Sequence, residues 1–157
     1  MDDIKIRPST AQDAEAIGAI AKTAWKPIFD GYREQLGDEI FHFLYPEDPV
    51  EKKKEECART AGSDACFVAE CEGKVVGFAT YLIKEKLGIL ANNAVSLRGR
   101  GIAGLLHARI FEEMKALGCK AVEVRTGLDD AHAPARRAYE KDGFSHSIPS
   151  VAYYKKL

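Results

Sequence analysis

Arg98-Gly99-Arg100-Gly101-Ile102-Ala103-Gly104 is the segment of this 157-residue chain whose residue types and spacing best suit chemistry. It lies between an apolar run ending at Val95 and a strongly amphipathic run with Ile102, Leu105, Leu106, Ile110, Phe111, Met114 and Leu117 at helical spacing. Glycines at a strand-to-helix turn remove the side chains an anion would meet, and the first helical turn presents unpaired N–H groups and the positive end of the dipole. Arg98 and Arg100 add charge that is never lost near neutral pH. A phosphate or diphosphate would fit. The competing explanation is a turn whose glycines only let helix and strand pack closely, with the arginines in solvent.

Gly99, Gly101 and Gly104 also satisfy G-x-G-x-x-G, with Glu123 about 20 positions further on, which suggests a dinucleotide site. Three features weigh against it. The strands before the loop read as an antiparallel meander, three residues separate Val95 from the first glycine, and too little chain remains for a doubly wound sheet. A Walker A loop fails because no Gly-Lys-Ser/Thr follows.

The elements that would position this loop can be read along the chain. Ile4 and Ile6 before Arg7-Pro8 make a first strand, and Thr10 with Asp13 three positions later marks a helix start near Ala11. Ala14, Ile17, Ile20, Ala21, Ala24 and Trp25 give that helix an apolar face, and Pro27 is expected to end it. One or two further helices are expected over residues 28 to 62, where Lys52-Lys53-Lys54, flanked by Glu51, Glu55 and Glu56, reads as a solvated face. Residues 65–71, 74–83 and 87–95 read as three antiparallel strands. The middle one is apolar on both faces and therefore central. A helix after Gly101, a strand from Ala121 to Thr126 parallel to the one ending at Val95, a short helix from Pro134 to Lys141, and a hairpin or edge pair over residues 145–157 complete the reading. The fold class is α/β (α+β): a mixed, mainly antiparallel sheet with helices on both faces, in a single domain over residues 1–157.

Composition agrees. With 46% hydrophobic and 30% charged residues the chain can bury a core, and a net charge of −1 gives no global field for nucleic acid or an anionic membrane. The acidic start at Met1-Asp2-Asp3 and the lack of any long apolar run imply neither a leader nor a membrane span, so a cytoplasmic protein is expected. Cys57, Cys66, Cys71 and Cys119 contain no C-x-x-C pair, which argues against bound metal and for free thiols.

The strand order, the glycine loop and its leading arginine together resemble the GCN5-related N-acetyltransferase (GNAT) family. That family's signature of Gln or Arg, two residues, Gly, one residue, Gly or Ala is matched by Arg98, Gly101 and Ala103. Arg136-Arg137-Ala138-Tyr139-Glu140-Lys141-Asp142-Gly143-Phe144 resembles its Tyr-Glu-Lys-x-Gly-Phe segment about 40 residues later. The resemblance implies an enzyme that moves an acetyl group from acetyl-CoA to a primary amine of a small molecule, peptide or protein, by direct attack in a ternary complex. By the same resemblance Asn93, Ala94 and Val95 meet the pantetheine arm, while Arg98, Gly99, Arg100, Gly101, Ile102, Ala103 and Gly104 hold the diphosphate. A bulge and splaying are implied at Asn92-Asn93. His132 stands where the family often has Asn.

Acetyl transfer needs a neutral amine and a proton for the departing thiolate. Tyr139 is the expected proton donor, because a phenol near pKa 10 is close to an alkyl thiol. Glu123 is the expected base, with Glu70 and His132 as competitors, and a Cys119 acyl-enzyme is a remote route. Trp25, Phe29 and Tyr32 are expected to wall the acceptor, although core packing explains such aromatics equally well. A homodimer is left open. The alternatives are a sensor that binds acyl-CoA without turnover and, further off, a dinucleotide-binding protein.

Overall fold

The computed structural model describes residues 3–157, so Met1 and Asp2 of the acidic start lie outside the described residues. Among those residues five strands form one sheet in sequential order: β1 (Ile4–Pro8), β2 (Cys66–Cys71), β3 (Lys74–Lys84), β4 (Leu87–Val95) and β5 (Ala121–Val124). The first four pair antiparallel, and β5 joins β4 parallel. This is the mixed, mainly antiparallel sheet expected, and it excludes a doubly wound dinucleotide fold, which needs a run of parallel strands.

Alternation along β2 sends successive side chains to opposite faces, and each face meets its own helices. Cys66 and Val68 join Phe78 under Ile17, Ile20 and Ala21 of α1 (Ala14–Leu44) and Cys57 of α2 (Pro49–Ala58). Phe67, Ala69 and Cys71 face the other way, against α3 (Ile102–Ala116) and α4 (Ala133–Lys141). Ile102, Leu106, Ile110 and Met114 of α3 are almost fully buried there. Each such side chain contributes about 1.5–3 kcal/mol relative to remaining exposed. Covered on both sides, β3 is buried from Val76 to Tyr81, as its sequence predicts.

Two expectations fail. α1 does not stop at Pro27 but runs on to a kink at Gly37 (φ +76°, ψ 159°), beyond which a second helical stretch reaches Leu44; that stretch and α2 are the further helices expected over residues 28 to 62. Pro27 is exposed, so its missing N–H falls on the solvent side. Beyond it the edge-to-face contacts of Phe29 with Tyr32 and Tyr45, together with buried Phe41, hold the helix and offset the lost bond. Residues 145–157 form no strand and are exposed throughout. Pro149 lacks the N–H a ladder requires, and the polar Ser145-His146-Ser147 stretch gives no apolar face to bury.

In the 3-10 turn Ala11–Asp13 that leads into α1, the Thr10 N–H donates to Asp13 Oδ2 at 2.8 Å, the cap expected. Arg7 grips the same carboxylate with both terminal nitrogens, at 2.8 and 3.0 Å, and reaches Glu70 on β2 at 2.9 Å. Lys52 lies on the exposed side of α2, whereas the stem of Lys54 packs over Gly18 of α1 and Lys53 is enclosed, with its ammonium 5.4 Å from the centre of the Trp25 ring, so the lysine run is only in part the solvated face expected. All four cysteines are free, and no metal-binding cluster occurs among the described residues. No helix of the described residues is long and apolar enough to cross a membrane.

Candidate active site

The site opens where β4 and β5 part. Their parallel pairing runs from Leu87 with Ala121 to Leu90 with Val124 and stops, so β4 continues through Ala91–Val95 with no β5 partner. On the β3 side the register steps from Ala79 opposite Asn93 to Tyr81 opposite Leu90, which leaves Ala91 and Asn92 against Thr80: a bulge. The Thr80 hydroxyl fastens it by donating to the Asn92 carbonyl at 2.9 Å. The adjacent asparagine side chains then take opposite faces. Asn92 donates to Glu56 on α2, and Asn93 turns toward α3 and α4. The splay and bulge implied by the resemblance are both present.

The gap leads into a cleft of about 1360 Å³ lined by the free end of β4, the turn into α3, β5 and α4. At the turn, Gly99 and Gly101 have φ of +74° and +71°, a left-handed conformation that side chains resist. A Cβ added to either meets nothing within 4 Å, so close packing does not explain these glycines. The turn itself requires them, and its open side is the cleft. The first intrahelical bond of α3 runs from Leu105 N to Gly101 O, leaving the N–H groups of Ile102, Ala103 and Gly104 ahead of it. Ile102, 1% exposed, anchors this turn. Arg98 is exposed at the cleft rim, and Arg100 is exposed on the same turn.

Tyr139 reaches the cleft from α4 with only 8% of its surface exposed. Asn93 Nδ2 donates to its hydroxyl oxygen at 3.2 Å. Burial pushes the phenol above its ordinary value, the Asn93 bond pulls against that rise, and the Asp142 charge adds to it. The group therefore stays protonated at neutral pH. Behind it lies a cluster that sequence reading missed. His107 Nε2 stands 3.1 Å from Asn93 Oδ1, and His107 Nδ1 contacts Asp142 Oδ2 at 2.5 Å. His107 is 1% exposed. The available signal was a histidine beside Leu106 on the buried stripe of an apolar helix. Its pairing with Asp142, 35 residues away, is visible only in three dimensions.

Other expected residues fare unevenly. Glu123 lines the cleft from β5, bonded to Arg125 at 3.1 Å. His132 lines it at the start of α4, held by Asp129 at 2.6 Å, and Arg136 staples that loop through the Gly127 and Asp129 carbonyls. Trp25 and Ile28 line the opposite wall. Phe29 and Tyr32 do not line it. Phe29 packs against Tyr32 and Tyr45, and Tyr32 lies alongside His132, because their helix turns them into an aromatic cluster. Glu70 is committed to Arg7, and Cys119 follows the end of α3, so neither lines the cleft.

A splayed β4, a glycine turn opening a helix and a buried tyrosine facing the gap between them define the site. Residues 25–144 match the family model described as Acetyltransferase (GNAT) family. The chain belongs to this family. As a GNAT protein it is an acetyl-CoA-dependent acyltransferase. Solved structures agree on the fold. The PaiA N-acetyltransferase from Thermoplasma acidophilum, in complex with coenzyme A, is 16% identical with a TM-score of 0.71, covering 94% of this chain and 93% of its own. The aminoglycoside N-acetyltransferase AAC(6')-Iy, in complex with CoA, is 18% identical with a TM-score of 0.65, covering 100% and 97%. Diaminobutyrate acetyltransferase EctA from Paenibacillus lautus, in complex with L-2,4-diaminobutyric acid and coenzyme A, is 16% identical with a TM-score of 0.59, covering 90% and 75%. No curated protein sequence matches the chain.

Proposed function

We propose that this GNAT protein acetylates a primary amine of a small molecule or peptide, with donor and acceptor bound together and the amine attacking directly. The carrying observation is the convergence, in one cleft, of an unpaired strand edge, a helix N-terminus and a buried phenol. Amine-acetylating enzymes among the solved structures support an amine acceptor.

When bound, acetyl-CoA supplies the thioester carbonyl and the thiol leaving group. The residues present fit it. The N–H groups of Ile102, Ala103 and Gly104 and the helix dipole would hold the diphosphate, with Arg98 at the rim and Arg100 on the same turn adding charge. The free edge of Asn93, Ala94 and Val95 would pair with the amides of the pantetheine arm, as another strand would. His132 contacts the carrier from the start of α4 in place of an asparagine. Tyr139 would hold a hydroxyl proton for the sulfur of the leaving thiol. Glu123 takes a proton from the amine, directly or through water, so one proton enters and one leaves for each amide formed. Trp25 walls the acceptor side.

Release of CoA thiol from acetyl-CoA, followed with a panel of amines, tests the reading. Turnover with at least one amine is expected. Tight acetyl-CoA binding without turnover of any amine would return the protein to the sensor reading, and stabilisation by NAD but not by CoA would remove the site assignment altogether.

A further inference from the structure

The hydrogen bonds behind Tyr139 have a determined direction. The Ala91 carbonyl can only accept, and it stands 3.0 Å from one end of the Asn93 carboxamide, which must therefore be the nitrogen. That nitrogen's remaining hydrogen goes to the Tyr139 oxygen. The carboxamide oxygen is left facing His107 Nε2 at 3.1 Å, so Nε2 must carry a hydrogen. His107 Nδ1 faces the Asp142 carboxylate, which holds the ring in place. Every link then donates toward the cleft: His107 to Asn93, Asn93 to Tyr139. Having accepted from Asn93, the tyrosine oxygen directs its own O–H elsewhere, and Tyr139 is among the residues that line the cleft.

From this arrangement we propose that His107, held by Asp142, is a positioning residue for the reaction: it fixes the Asn93 carboxamide so that Tyr139 is kept as a proton donor aimed into the cleft. Without a donor at Nε2 the amide oxygen loses its partner, and only the Ala91 contact then opposes a flip of the amide that would let the tyrosine hydroxyl donate to its oxygen. After proton transfer the same Asn93 N–H faces the phenolate oxygen and stabilises it. A purely structural role would be a tie between α3 and the end of α4, affecting stability alone.

The inference rests on Tyr139 being the acid, and the experiment separates the two ideas. In the protein without acetyl-CoA, a long-range 1H–15N spectrum of the histidine rings, with His107 assigned by its loss in His107→Phe, should show hydrogen on Nε2. A ring bare at Nε2 overturns the proposal. In kinetics with the best amine of the panel, His107→Phe should lower kcat about tenfold or more, and His107→Gln, which restores a donor near the Nε2 position, should recover to within about threefold. In a Tyr139→Phe background the same His107 change should have no further effect on kcat, because its effect passes through the hydroxyl. If His107→Phe proves unfolded by circular dichroism, the near-isosteric Asp142→Asn serves the same two-background comparison. Equal losses in both backgrounds, or a folded variant with undiminished kcat, overturn the positioning role while leaving Tyr139 as the acid. Wild-type kcat in Tyr139→Phe alone overturns both.

Discussion

Asn93 on β4 and Tyr139 on α4 meet at 3.2 Å, joining the strand edge left without a β5 partner to the buried phenol that lines the cleft. On the proposed function this protonated phenol is the acid for the leaving thiolate. Replacing Tyr139 by Phe keeps the buried ring and its packing against His107 and Phe144 but removes the proton. Initial rates should fall about 10²-fold in kcat, within the range for a lost general acid. Acetyl-CoA affinity by calorimetry should stay within about twofold.

The α3 turn allows a test of binding. Gly101 caps α3 at φ +71° with its Cβ direction open. Gly101→Ala adds only the left-handed strain of about 1–2 kcal/mol, whereas Gly101→Asp also puts a negative charge at the helix N-terminus proposed to hold the diphosphate. Calorimetric Kd for acetyl-CoA should rise more for Asp than for Ala, on the order of tenfold between the two. Equal affinities would mean that the diphosphate binds elsewhere.

Arg7 and Asp13 govern acid stability. Arg7 holds the Asp13 carboxyl below the ordinary carboxylate range through paired hydrogen bonds, with desolvation opposing. A depressed folded-state value contributes stability that is fully present above the unfolded value near 3.9 and is lost as pH falls through the folded one. Asp13→Asn should cost about 1.5–3 kcal/mol at pH 7. Denaturant melts repeated at lower pH should show the gap to wild type unchanged to about pH 4 and shrinking below it. A gap constant down to pH 2 would exclude the charge as its cause.

The thiols differ in a way that chemistry can read. Burial pushes Cys57 up to about 12, while Cys119 is only half-buried after α3. A thiol-disulfide reagent at pH 8 should label Cys119 in the native protein and all four cysteines after denaturation. Cys119→Ser should retain full kcat, and a loss beyond about tenfold would revive the acyl-enzyme route.

Gly88 on β4 lies directly under Met114, whose side chain occupies the space a Cβ would need. Gly88→Ala should lower stability by about 1–3 kcal/mol, the usual cost of overpacking. Gly88→Ala with Met114→Ala should recover part of that loss. Additive losses on thermal melting would show that the two do not compete for space.

The sequence by itself determined the elements and most of their arrangement. Strand periodicity over residues 65–95 fixed the antiparallel meander, because period-two alternation with short turns leaves no room for a crossover. The amphipathic run after Gly101 fixed α3, and the helix between β4 and β5 required the parallel pair. The glycine turn was legible because its chemistry is local, carried by adjacent backbone groups. Pro27 misled because propensity is local, whereas the continuation of α1 depends on aromatic contacts with Tyr45 beyond the helix end. Residues 145–157 misled for a related reason: a strand exists only where a partner accepts its ladder, and their sequence does not name one. Phe29 and Tyr32 share a helix with Trp25, but only the packed helix shows which of them faces the cleft. The tertiary structure alone decided the proton network, since Asp142, His107, Asn93 and Tyr139 come from three elements and meet only after the sheet and its covering helices are assembled. Hydrogen bonds have direction and a reach of about 3 Å, and no one-dimensional pattern encodes either.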